Sequence, residues 1–421
     1  MRFIYHIRRM KNSPFIILLI LLIGCNRGKN ALPVGFWRAE LVRQDGNIIP
    51  FNVESKDSAG KIIWYVQNAG ERLLVDSIRL IDDSIFIEMP FFDSRIRAKL
   101  VNNDQLEGAW IKRLEAKEQS LPFRAKHNEP DRFVITGKKG GSAISGRWEV
   151  DFVNIKNGDS TRAVGEFVQT GNQVTGTFLN PSGDYRYLQG VVDGDSLKLS
   201  CFDGGHAFLF TAVIKDDQTL TDGYFYSGPT YFEKWTARKN GQARIADEYE
   251  GTKLKKGESR LNFKFKSIDG DSVSINDERF KNKVVLVQLM GSWCPNCMDE
   301  TSFLSEYYNL HRKDGVEVVA LAYERSTDFT RSQQTIRVFQ KRFNVQYPML
   351  VTGVTVADSL RSEKTLPQLE KINAFPTLLF IDKKGRVSRI HTGFTGPGTG
   401  EYFEHFKNDF YKIMGDLLRQ D

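Results

Sequence analysis

Between residues 35 and 239 the chain alternates apolar and polar residues in short runs broken by Gly, Asp and Asn, and almost nowhere does it keep a helical period. Successive side chains of a strand point to opposite faces, so this pattern predicts antiparallel β structure with one face buried. Ile85, Ile87 and Met89 fall on one face of residues 83–89, and Leu197, Leu199 and Cys201 fall on one face of residues 195–201, an offset of 112 positions. Gly35-Phe36-Trp37 recurs as Gly146-Arg147-Trp148 at an offset of 111, and residues 106–110 match residues 220–224. These offsets predict an internal duplication into two β units, 34–137 and 142–239, joined near Lys138-Lys139-Gly140-Gly141-Ser142. Generic β patterning is the alternative source of the match. The glycine stretch lacks the Gly-Lys-Ser/Thr ending of a phosphate loop and reads as a connector.

A chain of 421 residues with 40% hydrophobic content and 4 cysteines is neither a disordered tail nor a disulfide-stapled miniprotein, and its length suits about three units. Aromatic residues in the β half could line a groove, but in strands they read first as core. Cys201 lies on the apolar face of its strand, at the place Met89 takes in the first unit, so it reads as a buried, inert thiol.

Arg2, Arg8, Arg9 and Lys11 precede an apolar run over residues 15–23, too short to span a bilayer but suited to a secretory signal over 1–24. Those four cations account for most of the net charge of +7 and leave +3 for the rest, so no nucleic-acid partner is implied. The run closes on Leu22-Ile23-Gly24-Cys25, which resembles the lipobox of bacterial lipoproteins. The resemblance implies that Cys25 is the lipid attachment site, at the head of a tether over 25–33; an incidental thiol behind a cleaved signal is the alternative. Asn26 follows, with no Asp at that place and no acidic cluster after it, which by the same resemblance implies a periplasm-facing lipoprotein, on the outer membrane rather than the inner. Export also places Cys294 and Cys297 where disulfides form and persist.

Beyond a polar linker over 240–257 the pattern changes. Residues 284–289 form a continuous apolar run, as a strand buried on both faces should. A helix with Phe303, Leu304, Tyr307 and Tyr308 on one side follows, then a strand over 316–323, a helix over 329–343, a hairpin from 377 to 392 and a last helix from about 400. The order predicts an α/β domain over 258–421, βαβα then ββα. At its first strand-to-helix junction stands Trp293-Cys294-Pro295-Asn296-Cys297. A C-x-x-C there reads as a redox motif: Pro295 suits the first helical position, and the positive helix end favours a Cys294 thiolate. Cys297 lies one turn inside. Ala374-Phe375-Pro376-Thr377 comes some 80 residues later, directly before a strand, and the loop Thr395-Gly396-Pro397-Gly398-Thr399-Gly400 reads as a turn with Thr399 capping the last helix.

With these motifs residues 258–421 resemble the thioredoxin superfamily, in its branch of TlpA/ResA membrane-anchored thiol-disulfide oxidoreductases. The resemblance implies a thioredoxin-like fold, a redox-active Cys294–Cys297 disulfide with no further cofactor, and Pro376 as the family's cis-proline. It implies that Glu300, three residues after Cys297, assists proton transfer; an exposed helix carboxylate is the alternative. Gln288 stands six positions before Cys294, where thioredoxin has a buried aspartate. An amide cannot take that proton. Trp293, Phe375 and Pro376 would flank an extended substrate chain, with the main chain around Pro376 free to pair with it. The implied partners are exported proteins carrying thiols or disulfides and a membrane electron donor, and the implied direction is reduction.

A zinc half-site needs four ligands, and no second C-x-x-C or close His pair is present. A peroxiredoxin needs Pro seven and Thr or Ser three positions before its cysteine, where Val287 and Gly291 stand. The rival from another class is a lipid-anchored binding or assembly protein that uses its β units, with the thioredoxin-like domain as scaffold.

Overall fold

The computed structural model of the chain describes residues 32–114, 117–136, 143–245 and 251–420. The signal over 1–24, Cys25 with most of its tether, the glycine stretch 138–142 and part of the 240–257 linker lie outside the described residues.

The first β unit is a nine-stranded antiparallel meander. Its first strand, Gly35–Val42, pairs with Ile48–Ser58 on one side and with its last strand, Glu118–His127, on the other. The two edge strands, Glu71–Val75 and Ser77–Ile81, are consecutive, with only Asp76 between them. The second unit repeats the plan: Gly146–Val153 pairs with Ser160–Thr170 and with Tyr231–Lys239. Here Gln173–Asn180 also pairs with Leu188–Asp193, which closes the sheet into a barrel. The duplication reaches side chains. Trp37 and Trp148 are buried in the first strand of each unit, and each donates its indole N–H to the carbonyl four residues earlier, Pro33 at 3.2 Å and Ile144 at 2.8 Å.

Phe152, Phe178, Phe210 and Trp235 fill the second barrel, with ring centroids 4.7 to 6.3 Å apart. Rings at these separations and tilted angles are packed core. These aromatics of the second unit are therefore structural. Cys201 is buried in the same core and its thiol is driven well above the ordinary range by that burial, as an inert residue should be.

The carboxy-terminal domain holds a seven-stranded sheet. Val284–Met290 lies inside it, beside the middle strand Val316–Ala322, to which it is parallel, and antiparallel to Thr377–Ile381 on its other side. Every residue of Val284–Met290 is buried. Alternate residues feed two cores: Leu286 and Val318 join Leu304, Phe406 and Phe410, while Val287 and Val319 join Leu366 and Leu369. The helices are α1 (Pro295–His311), α2 (Phe329–Arg342), α3 (Arg361–Thr365) and α4 (Glu401–Arg419). Three strands are absent from the expected order βαβα then ββα: Lys264–Ser267, Ser272–Ser274 and Met349–Val351. With three or four residues each, they are too short to show an alternation.

The described end of the linker lies on this domain, where Thr252 N donates to Thr392 Oγ1 and Lys255 N to the Gln368 carbonyl, both at 2.8 Å. Thr399 does not cap the last helix. Its hydroxyl donates to the Gly396 carbonyl at 2.7 Å across a 3-10 turn, and Gly400 takes the cap position with no side-chain bond.

Candidate active site

The buried strand Val284–Met290 leads to α1 through Gly291-Ser292-Trp293. Glu324 holds this bend: its carboxylate accepts from Ser292 N at 2.8 Å and from Ser292 Oγ at 2.6 Å. The Trp293 indole donates to the Tyr323 carbonyl at 2.8 Å, and the Arg325 guanidinium lies 5.5 Å from the ring centroid. The tryptophan is thereby fixed beside the cysteines.

Cys294 is the N-cap of α1 and Pro295 occupies the first helical position, where a missing N–H leaves no backbone partner unpaired. Cys294 and Cys297 form a disulfide with Cα atoms 5.2 Å apart. Cys297 N donates to Cys294 Sγ at 3.2 Å, so the outer sulfur sits on the free N–H groups of the first turn. A helix N-terminus favours negative charge there, which lowers the cost of a thiolate on reduction. Cys294 is 4% exposed and Cys297 fully buried.

The Phe375–Pro376 peptide is cis, and the Phe375 carbonyl oxygen lies 3.5 Å from Cys294 Sγ. The Phe375 ring meets Trp293 edge-on with centroids 5.8 Å apart. The Pro376 carbonyl is already occupied, since it accepts from Gly393 N at 2.8 Å. The free main chain expected around Pro376 thus excludes its own carbonyl. Cys294, Cys297, Trp293, Phe375 and Pro376 are brought together; Cys25 lies outside the described residues.

Glu300 sits one turn behind Cys297 and is wholly buried, not an exposed helix carboxylate. Gln288 Nε2 donates to its Oε2 at 2.8 Å and to Thr301 Oγ1 at 3.2 Å, while its Oε1 has no hydrogen-bond partner among the described residues. Burial pushes the Glu300 carboxyl up to about 8, against a smaller lowering by the Gln288 bond. Gln288, met in the sequence as a departure, is the residue that orients Glu300.

Sequence reasoning missed the second β unit's part in this site. The turn between Asn180 and Leu188 covers one side of α1's first turn. Arg186 Nη1 donates to the Pro295 carbonyl at 3.3 Å and pairs with Asp299, while Nη2 pairs with Glu71 of the first unit. Asp184 accepts from Gly396 N at 2.7 Å. These contacts join residues more than a hundred positions apart and leave no local sequence signal.

A C-x-x-C disulfide on the first turn of the helix after a buried interior strand, facing a cis X-Pro bond, defines a thioredoxin-superfamily domain. Known proteins agree: a family model described as Redoxin matches residues 255–404. The chain is 24% identical over 138 residues to the thiol-disulfide oxidoreductase ResA of Halalkalibacterium halodurans, covering 32% of this chain and 68% of that protein. It is 23% identical over 140 residues to ResA of Bacillus subtilis, covering 33% and 69%. Among solved structures, a DsbF homologue from Corynebacterium diphtheriae aligns at 20% identity over 40% of this chain and 93% of its own, with a TM-score of 0.30. The carboxy-terminal domain is a TlpA/ResA-like member of the thioredoxin superfamily.

Proposed function

We infer that the protein is a protein-disulfide oxidoreductase whose Cys294–Cys297 pair exchanges disulfides with exported proteins, as a reductant and from a lipid anchor at Cys25 on the periplasmic side of the outer membrane. The observation that carries the chemistry is the position of the pair, with Cys294 as N-cap on the first-turn N–H groups and Cys297 buried one turn behind. In the reduced protein the Cys294 thiolate attacks one sulfur of a substrate disulfide, forming a mixed disulfide and releasing the other sulfur as a thiolate. Cys297, losing its proton to Glu300, attacks Cys294 Sγ, which releases the second substrate sulfur and leaves the 294–297 disulfide. Two electrons pass to the substrate, and a membrane electron donor returns them. A carboxyl poised near 8 matches the ordinary thiol range of about 8.5, which supports Glu300 in that role. Trp293, Phe375 and Pro376 would flank the substrate chain.

The test is insulin reduction coupled to dithiothreitol, wild type beside Cys294→Ser. Wild type should accelerate turbidity and the variant should not; equal rates would remove the assignment. Direction is read from the equilibrium of the pair with glutathione, and a potential near −120 mV, that of a strong oxidant, would reverse it.

A further inference from the structure

We propose that Arg186 of the second β unit is a positioning residue of the redox pair: through the Pro295 carbonyl and Asp299 it holds the first turn of α1 and supplies positive charge beside Cys294. The proposal rests on the reading of the pair as a thiol-disulfide exchanger. Its ground is where the guanidinium ends. The Arg186 side chain is 5% exposed, and its three acceptors are Pro295 O, between the two cysteines, Asp299 on the same turn, and Glu71 from the other β unit. A bond needed only to join two domains has no reason to end on the dipeptide inside the C-x-x-C.

The rest of the turn is fitted to the same place. Gly183 has φ +137°, and a β-carbon there would collide with the Asn296 amide and the Phe394 carbonyl. Asp184 accepts from Arg186 N at 2.5 Å and from Gly396 N at 2.7 Å, so one carboxylate ties the arginine's own backbone to the loop before α4. This side of the disulfide is therefore walled by the second unit, and the other side is framed by Trp293 and Phe375.

The charge balance gives the proposal a sign. Arg186 forms ion pairs with Asp299 and Glu71, and the carboxylates of Asp184 and Asp203 also face it. A positive charge near a thiol favours the thiolate, and a negative one disfavours it. Arg186→Met removes the cation and leaves the carboxylates beside the helix tip. The Cys294 thiolate fraction at pH 7 should fall at least tenfold. A less stable thiolate makes the pair harder to reduce, so the equilibrium with glutathione should move toward the disulfide, to a more negative potential.

The experiment uses the full chain with three variants, Arg186→Met, Arg186→Lys and Asp299→Asn. Cys294 alkylation by iodoacetamide at pH 7 and the glutathione equilibrium are measured for each. Arg186→Met should slow alkylation tenfold or more, while Arg186→Lys, which keeps the charge, stays within about threefold of wild type. Asp299→Asn should quicken alkylation at least threefold, and it serves alone if Arg186→Met does not fold. The proposal is overturned if Arg186→Met stays within twofold of wild type in both measurements, if the lysine variant falls as far as the methionine variant, or if Asp299→Asn changes nothing. None of these readouts needs a protein substrate, so a failed insulin assay with the wild type would remove the proposed function and leave this test readable.

Discussion

The two β units share one plan and meet the carboxy-terminal domain in different ways. The first reaches it with the loop after strand Ser84–Glu88: Phe91 stacks on Phe343 with centroids 5.5 Å apart and meets Phe339 edge-on at 5.5 Å. These rings lie on and just beyond α2. The second unit turns the corresponding loop, residues 203–206, back onto the first, where the Gly204 carbonyl accepts from the Trp110 indole at 3.1 Å. It meets α1 instead with the segment after Gln173–Asn180. In the first unit that place holds only Ala69 and Gly70 before the next strand begins at Glu71. In the second, six residues beyond Asn180 bring Arg186 onto the Pro295 carbonyl. A duplicated sheet keeps its register because every strand is paired, whereas a turn is free to lengthen. Divergence at that turn brings the second copy directly onto α1, while the first contributes Glu71 to Arg186 and packs its Phe91 loop on α2.

The largest effect expected of this difference is on stability without chemistry. Phe91 is buried against two rings, and truncating a buried phenylalanine costs about 3–5 kcal/mol. Phe91→Ala should lower the urea midpoint accordingly while leaving the 294–297 equilibrium with glutathione within twofold of wild type. A redox shift as large as that of Arg186→Met would erase the distinction between the units.

How much of this was legible follows from the range of each interaction. The strand before the motif was readable because burial on both faces needs a continuous apolar run, and Val284–Met290 provides one. The motif was readable because its parts lie within five residues. The duplication showed in Trp37 and Trp148, since an indole filling the same corner twice leaves the same residue at the same offset. Glu300 was named, but its burial was not: that depends on Gln288 reaching it across the space between strand and helix. Arg186 was invisible, because an arginine in a turn of a β unit looks like any solvated charge until the fold lays it on a helix a hundred residues away.

The comparison can be sharpened from inside the carboxy-terminal domain at Glu300, which neither β unit touches. Its carboxyl is raised by burial from an ordinary 4.5 to about 8. Between those values the folded state keeps a proton that the unfolded chain has lost, so stability falls as pH rises through that window, by about 1.4 kcal/mol per pH unit. In the oxidised protein the paired cysteines do not titrate, but other buried carboxyls, Asp184 at about 6 among them, add slopes of the same sign, so the Glu300 part is read by difference. Urea unfolding from pH 5 to pH 8 should be steeper in wild type than in Glu300→Gln by about that amount. Parallel curves would mean that the Glu300 carboxyl is not raised in the folded protein, and the match to the thiol range that supports its part in moving the Cys297 proton would be gone.

The smallest effect belongs to the first unit's ion pair, Asp93 with Arg331 of α2 at 3.2 Å. It resembles the Arg186–Asp299 pair in chemistry but not in setting. Its side chains are 34% and 21% exposed, against 14% and 5% for Asp299 and Arg186. Exposed pairs are screened by water and salt and contribute about 0–1 kcal/mol, whereas breaking a buried pair strands an unsolvated charge. Asp93→Asn should therefore lower stability by less than about 1 kcal/mol, shrink toward zero in high salt, and leave alkylation of Cys294 unchanged. A loss several times larger, or any change in the thiol's reactivity, would mean that the first unit acts on the redox pair from its Asp93 loop as well as through Glu71, and that the division of labour between the two copies is not drawn at the turn after Asn180.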